Sequence, residues 1–218
     1  PFDDQRATVV AKGTFDITDD GVVFSAQTPR LTGELPPTGA PTHPSDVVPF
    51  KEGVDVLVSG DVVSRGGASV ATARLRLHTV DKSVVAIGPR QWSASGHPTE
   101  AGPVDRAPLT YASSFGRPNF AANPVGTGHL AGPPPQLEDP DRLLKHRDDQ
   151  VAPRSLGPVG LATKVMQAQG DFSSSGPGTG VPPDASPSLF NAAPPDQRCA
   201  SLNGDEEFSV TSVRDDGL

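Results

Sequence analysis

Short valine-rich runs with alternating polar positions dominate the first half of the chain. From Ser69 to Val80, polar side chains alternate with alanine and leucine, which is the period of a half-buried strand. Asp55 to Ser64 is a valine run that precedes it, with Arg65-Gly66-Gly67-Ala68 as the turn between the two. Asp81-Lys82 is predicted to turn the chain into a third strand, Ser83 to Ile87. The pattern therefore predicts an antiparallel meander.

Two further segments have the composition of strands. Ala7 to Ile17 is rich in valine and threonine, and Asp19-Asp20-Gly21 leads from it into Val22 to Phe24. An Asp-Gly pair between two such runs is typical of a β-hairpin. Near the end of the chain, Glu207 to Val213 predicts a last strand.

The connections between these segments are long and rich in proline. Gln27 to Phe50 contains six prolines, and the chain is aperiodic from Ser95 to Pro140, where Pro133-Pro134-Pro135 cannot enter a central strand. Asp141 to Asp149 and Leu161 to Ala168 have the propensity of short helices. The sequence predicts a mainly β protein, an antiparallel sandwich or meander with long Pro/Gly-rich loops and one or two short helices. We expect one β-rich domain over residues 1–218.

Composition and charge narrow the function classes. Glycine (23) and proline (25) are abundant among the 218 residues, which favours turns over helices. The net charge of −8 argues against nucleic acid or an anionic membrane as partner, because such binding needs clustered Lys and Arg. No window reaches the roughly 18 apolar residues of a membrane span. A single cysteine fits a reducing compartment, so we expect a cytoplasmic location.

Residues that could carry chemistry do not form a recognised motif. The five histidines (His43, His78, His97, His129 and His146) lack metal-ligand spacing, so isolated, solvated roles are favoured and no metal is expected. Gly126-Thr127-Gly128 lacks the flanking residues of a phosphate-binding loop. Cys199 lies beside Arg198, but a lone cysteine is more often inert, so we interpret it as an unreactive thiol. We therefore expect no cofactor and no catalytic residue.

Leu189 to Gln197 is the most informative stretch, because it combines two prolines with side-chain acceptors and has no regular period. Pro194 and Pro195 fix φ and remove two backbone donors, while Asn191 and Asp196 can close local turns. Taken alone, the stretch predicts a rigid connector.

The same stretch is one of several blocks that occur, in a single order, in a family of bacterial proteins. The chain resembles the domain of unknown function two-one-six-nine, found beside type VI secretion genes. The blocks that carry the resemblance are Val9 to Phe15, Pro44 to Lys51, Gly53 to Val58, Tyr111 with Phe115-Gly116, Asn123 to Gly128, Gln136 to Pro140, and Phe190 to Gln197 with Leu202 and Gly204 to Glu206.

The resemblance implies a non-enzymatic adaptor or chaperone-like module that helps to load an effector onto the VgrG spike, with effector and spike as its protein partners. The Pro-rich loops are the expected contact surface. The family-motif residues are Pro44, Ser45, Asp46, Pro49, Phe50, Asn123, Pro124, Gly126, Gly128, Asn191, Pro194, Pro195, Asp196 and Gln197.

Two alternatives stay open. One is a hydrolase with its site in the 95–140 loops, which a pocket that joins His97 or His129 to a carboxylate would favour. The other is a structural component of a larger assembly, which a large exposed apolar patch would favour. The chain also stops soon after its last block, which leaves open that it is the N-terminal part of a longer protein.

Overall fold

The computed structural model describes residues 15–18, 21–25, 53–64, 66–118, 120–128, 132–159 and 191–214, with the backbone alone for 15–24. Within these ranges the chain is built from antiparallel strands, with two single 3₁₀ turns at Tyr111–Ser113 and Pro195–Gln197 and no α-helix. The prediction of a mainly β protein is confirmed.

The described strands are mostly short. In chain order they are Phe15–Thr18 (β1), Gly21–Phe24 (β2), Val54–Asp55 (β3), Asp61–Val62 (β4), Val70–Leu77 (β5), Val80–Ile87 (β6), Ala107–Pro108 (β7), Leu137–Glu138 (β8), Arg198–Cys199 (β9), Phe208–Thr211 (β10) and Val213–Arg214 (β11).

A long hairpin forms the centre of the fold. β5 and β6 pair over their full length, from Val70 opposite Ile87 to Leu77 opposite Val80. β10 adds to the free side of β5 and β8 to the free side of β6, so the sheet has the order β10-β5-β6-β8. The predicted alternation along β5 is confirmed, because Ala73 and Leu75 are buried while the residues between and beside them are exposed.

The turn of this hairpin was predicted wrongly at Asp81-Lys82. The chain reverses at His78 and Thr79, where His78 has a positive φ of 52°, and β6 has already begun at Val80. Asp81 and Lys82 are therefore strand residues opposite Arg76 and Leu75. The early turn places Lys82 in the row that faces the core.

The valine run from Asp55 to Ser64 was wrongly predicted as a strand beside β5. Residues 56–60 lie outside the strands, with φ 132° at Gly60, and only Asp55 at the end of β3 and the two residues of β4 are in strands. β3 pairs with β9, whereas β4 lies between β7 and β11. The meander is replaced by pairings with segments distant in sequence, although Gly66 and Gly67 do form the predicted turn, each with φ 70°.

The predicted hairpin near the N-terminus is confirmed where it is described, because β1 pairs with β2 from Phe15 opposite Phe24 to Thr18 opposite Gly21. Gly21 thus belongs to the second strand. The rest of the predicted first strand, the connection from Gln27 to Phe50 and the helix from Leu161 to Ala168 lie outside the described residues.

The helix predicted for Asp141 to Asp149 is absent from the structure. Carboxylates take the backbone donors instead: Asp139 Oδ1 accepts the Asp141 N–H at 3.0 Å, and Asp149 Oδ2 accepts the N–H groups of Lys145 (2.9 Å) and His146 (2.8 Å). Such local side-chain acceptors compete with helical hydrogen bonds. The segment folds as successive turns.

The main core draws on distant parts of the chain. The segment from Ser95 to Pro140, predicted as a long loop, contributes the buried Val104, Leu109 and Leu137. They pack with the inner rows of β5 and β6 and with Leu156 and Cys199. A smaller cluster forms around Phe115, Leu144 and Val151. A single domain over 1–218 stays a prediction.

The predicted last strand is present but is broken at Ser212. This residue has a positive φ of 58°, and the chain passes there from β10 in the central sheet to β11 in the other. The Ser212 carbonyl accepts the Val63 N–H at 3.2 Å. One exposed serine in a conformation that favours glycine thus links the two sheets.

Replacing Ser212 by glycine should stabilise the protein by up to about 1 kcal/mol, because glycine adopts positive φ without a Cβ penalty. The control, Ser209→Gly in the middle of β10, should destabilise it by about 0.5–1 kcal/mol. Urea unfolding midpoints measure both. Equal losses for the two variants would contradict strain at Ser212.

Candidate functional site

A lysine lies in the core-facing row of the central sheet. Lys82 stands opposite Leu75 and is 3 % exposed. Its Nζ donates to Gln197 Oε1 at 2.8 Å and to Asp196 Oδ1 at 2.9 Å. Burial lowers the pKa of the Lys82 ammonium, and the bond to Asp196 opposes that shift. The residue is held by partners that lie 114 and 115 positions further along the chain.

Gln197 uses every polar atom of its side chain in this place. It is fully buried, and its Nε2 donates to the carbonyls of Val56 (2.9 Å) and Leu156 (2.8 Å), while its Oε1 accepts from Lys82. Its own carbonyl accepts the Val56 N–H at 2.9 Å. Pro194 and Pro195 open the 3₁₀ turn that ends at Gln197 and so present its amide to the core.

Arg154 closes the group from the surface side. Its Nε donates to the Ser83 carbonyl at 3.0 Å, and its Nη1 lies 3.3 Å from Asp196 and 3.8 Å from Asp139. Two cations thus face two carboxylates. We refer to Lys82, Asp139, Arg154, Asp196 and Gln197 as the Lys82 cluster. Asp196 is 48 % exposed, so the cluster extends from the core to the surface.

A second buried ion pair lies on the opposite face of the same sheet. Glu138 is 2 % exposed and pairs with Arg90. Its Oε2 accepts the Leu144 N–H at 2.6 Å, and Arg90 also donates to the Pro135 carbonyl at 2.7 Å. Pro134 and Pro135 are themselves buried. This part of the proline-rich segment is therefore fixed against the sheet.

The block around Asn123 is a packed loop. Asn123 is fully buried and its Nδ2 donates to the carbonyls of Tyr111 (2.7 Å) and Phe115 (3.0 Å). A Cβ at Gly126 would lie 2.4 Å from that Nδ2, and one at Gly128, where φ is 102°, would lie 2.7 Å from Pro135. Close packing explains both glycines. Pro124, between them and Asn123, is partly buried.

Asn191 opens the last block and is also buried. Its Nδ2 donates to Asp55 Oδ1 at 2.8 Å, and the Ala192 N–H donates to Asp55 Oδ2 at 2.6 Å. The connector predicted for this stretch is thus fastened beside β3. The other predicted motif residues, Pro44, Ser45, Asp46, Pro49 and Phe50, lie outside the described residues.

Two of the described blocks of the resemblance meet at the Lys82 cluster. Asp196 and Gln197 come from the last block and Asp139 from another, and Asp196 acts on the ionisation of the nearby Tyr111. Lys82 and Arg154, which complete the cluster, belong to no block. The alternation Val80, Lys82, Val84, Ala86 was the signal that could have placed Lys82 inward.

Two histidines predicted to be isolated lie together. The rings of His97 and His146 are 5.1 Å apart, edge to face, and Asp148 Oδ2 is 3.3 Å from His146 Nδ1. His97 Nδ1 binds the Lys145 carbonyl at 2.9 Å and His146 Nε2 the Ser95 carbonyl at 3.0 Å. The pair therefore joins two loops.

The remaining candidates carry little chemistry. His78 is exposed in the β5–β6 turn, whereas His43 and His129 lie outside the described residues. Cys199 is 5 % exposed and packs in the main core. The described residues contain no group of three side chains that could hold a metal ion.

Tyr111 reports on the Lys82 cluster, because it is the single tyrosine of the sequence. Burial raises the pKa of its hydroxyl, Asp196 raises it further, and Arg154 opposes the shift. In an absorbance titration we expect tyrosinate to form well above pH 10 in the folded protein and near the ordinary value of about 10 in urea. Asp196→Asn should lower the native midpoint in part only, since burial is the larger cause.

The raised pKa of Tyr111 makes the folded protein less stable at alkaline pH. Above about pH 10 the unfolded chain releases a proton that the folded chain keeps, so stability falls as pH rises. Tyr111→Phe should lose this component of the alkaline decline. Coincident titration of native and unfolded Tyr111 would contradict the account.

Comparison with known proteins gives one family and no individual relative. A family described as an uncharacterized protein conserved in bacteria (DUF2169) matches residues 3–217. No curated protein and no solved structure matches the chain. In the part of the chain that the structure describes, no helix has the length and apolar character that a membrane crossing requires. Because the match extends over nearly all of the sequence, the chain belongs to the DUF2169 family of bacterial proteins.

Proposed function

We propose that the protein is a non-enzymatic adaptor, a protein-binding module that helps to load an effector onto the VgrG spike of a type VI secretion system. The proposal takes its partners from the family resemblance described above. The structure supports the proposal because side chains of the family blocks fix the positions of loops.

The single observation that carries the proposal is the burial of the block amides. Asn123, Asn191 and Gln197 are each fully buried, and each donates to acceptors within the chain. A catalytic side chain has to reach a substrate, whereas these groups fix the positions of loops. The blocks thus specify a rigid framework, and a pre-organised surface is what a binding module needs.

The exposed apolar side chains are the candidate contacts. We predicted that the Pro-rich loops form the contact surface. Pro134 and Pro135 are buried and therefore cannot be part of it. Large apolar side chains are instead exposed by 40 to 51 %; they are Val70, Val125, Leu143, Leu202 and Phe208. Burial of apolar surface favours association, so these five side chains are the ones to test as contacts.

Affinity capture tests the proposal. The tagged protein should retain the effector and the spike protein encoded beside it, and should not hydrolyse the effector. Each of the five exposed apolar residues is changed singly to aspartate, and at least one change should abolish capture without lowering the melting temperature. Lys145→Asp, on an exposed residue, is the matched polar control.

Recovery of neither partner would contradict the adaptor proposal. Hydrolysis of ester, peptide or glycan substrates that is lost in His97→Ala would favour the hydrolase alternative instead. Assembly of the pure protein into a large complex would favour the structural alternative.

A further inference from the structure

A groove of about 450 Å³ lies where the β5–β6 turn meets the start of β10. Arg76, Leu77 and His78 form one wall, and residues 206–209 form the other. Phe208 is opposite Leu77 in the β5–β10 register and is 51 % exposed. An aromatic side chain of this exposure at the mouth of a groove offers apolar area to a partner.

β10 is an edge of the central sheet. In the described part of the chain, the sheet ends at β10, and three of its four residues are exposed. Its sequence, Phe-Ser-Val-Thr, has none of the lysines or prolines that commonly protect an edge from pairing. Phe208 and Val210 face the same side of the sheet, and a further strand added here would place its side chains next to them.

An acidic run lies immediately before this strand. Asp205, Glu206 and Glu207 precede Phe208, and Glu206 and Glu207 line the groove. The Glu206 carboxylate accepts the N–H groups of Asn203 (2.5 Å) and Gly204 (2.9 Å), which fixes the loop. These bonds lower the pKa of Glu206, so it stays ionised.

Asp81 partly neutralises the positive charge of the two arginines on β5. Asp81 binds Arg74 through both oxygens, at 2.7 and 2.6 Å, and lies 3.6 Å from Arg76. The start of β10 therefore has negative charges that are offset by few cations, and basic groups of a partner are its complement.

We propose that β10, the edge of the central sheet in the part of the chain that the structure describes, binds an extended segment of a partner protein by antiparallel strand addition. An apolar residue of that segment packs on Phe208, and basic residues follow at the C-terminal end of the added strand. The direction is that of the three strand pairings of this sheet, which are all antiparallel. In that direction the added strand ends beside Phe208, so the residues after it meet Glu206 and Glu207.

This inference rests on the proposed function only for the identity of the partner. The edge itself is tested with synthetic peptides on the intact protein. The probe is a fluorescein-labelled, capped peptide of alternating threonine and valine that ends in two lysines. Three matched peptides have the lysines at the N-terminal end, two glutamates in place of the lysines, or two prolines in place of valines.

Fluorescence anisotropy should show binding of the peptide with C-terminal lysines, at least tenfold weaker binding of the glutamate and proline peptides, and weaker binding at high salt. Phe208→Ala and Glu207→Lys should each weaken it by about three- to tenfold. Gln150→Ala and Glu100→Lys, both at exposed positions elsewhere, should leave it unchanged. Glu207→Lys should also improve binding of the glutamate peptide.

Three outcomes would overturn the proposal: no binding of the lysine peptide, equal binding of the proline peptide, or equal effects of the edge and control variants. Preference for N-terminal lysines would overturn the antiparallel direction. Peptide binding together with failure to capture the effector would uphold the edge and reject the adaptor role, so the two failures are distinguishable.

Discussion

The bonds that hold the Lys82 ammonium inside the sheet are the constraint on which the rest of the structure depends. A buried ammonium is costly unless charged and polar partners surround it. Asp196 and Gln197 supply those partners, and both belong to a segment more than 110 residues further along the chain. Removing either the lysine or its partners would cost more free energy of folding than the pair contributes, since a buried polar group without a partner has lost its hydration. Sheet and C-terminal segment therefore have to fold together.

This constraint compensates for the weakness of the strands around it. Apart from the central hairpin and the four-residue strands, the described strands have two residues each, which is too short for independent stability. Side chains join the segments instead: Gln197 reaches Val56 and Leu156, Asn191 reaches Asp55, and Asn123 holds the turn at Tyr111. These bonds hold the described loops in place despite the high content of glycine and proline.

The sequence alone predicted local features such as strands and turns, but it did not predict which distant strands pair. Alternation identified β5, and turn residues identified the β1–β2 hairpin, because both signals depend on neighbours in the chain. The pairing of β3 with β9 and of β10 with β5 depends on segments that carry no mutual signal in one sequence. The valine run before β5 was misassigned because composition does not reveal the strand partner. The false helix at 141–149 arose because its aspartates serve as local acceptors.

The site was predictable to a similar degree. The family blocks named Asp196, Gln197, Asn123 and Asn191, but only the fold brings Asp196 and Gln197 to Lys82 and shows that the two asparagines hold other segments in place. Lys82 itself was missed because it was assigned to the turn before the third strand, whereas it lies within β6. Fixed surfaces of this kind are what the proposed adaptor role requires.

Native-state hydrogen exchange on Lys82→Met tests the central claim most directly. Residues 54–58 and 191–199 should lose protection together and exchange ahead of the β5–β6 hairpin, because the side-chain oxygen of Gln197 then lacks the donor that Lys82 supplies. Lys145→Met, which changes an exposed lysine, should exchange as the unaltered protein does. Unchanged protection of both segments in Lys82→Met would contradict the claim that this lysine fastens the C-terminal segment to the sheet.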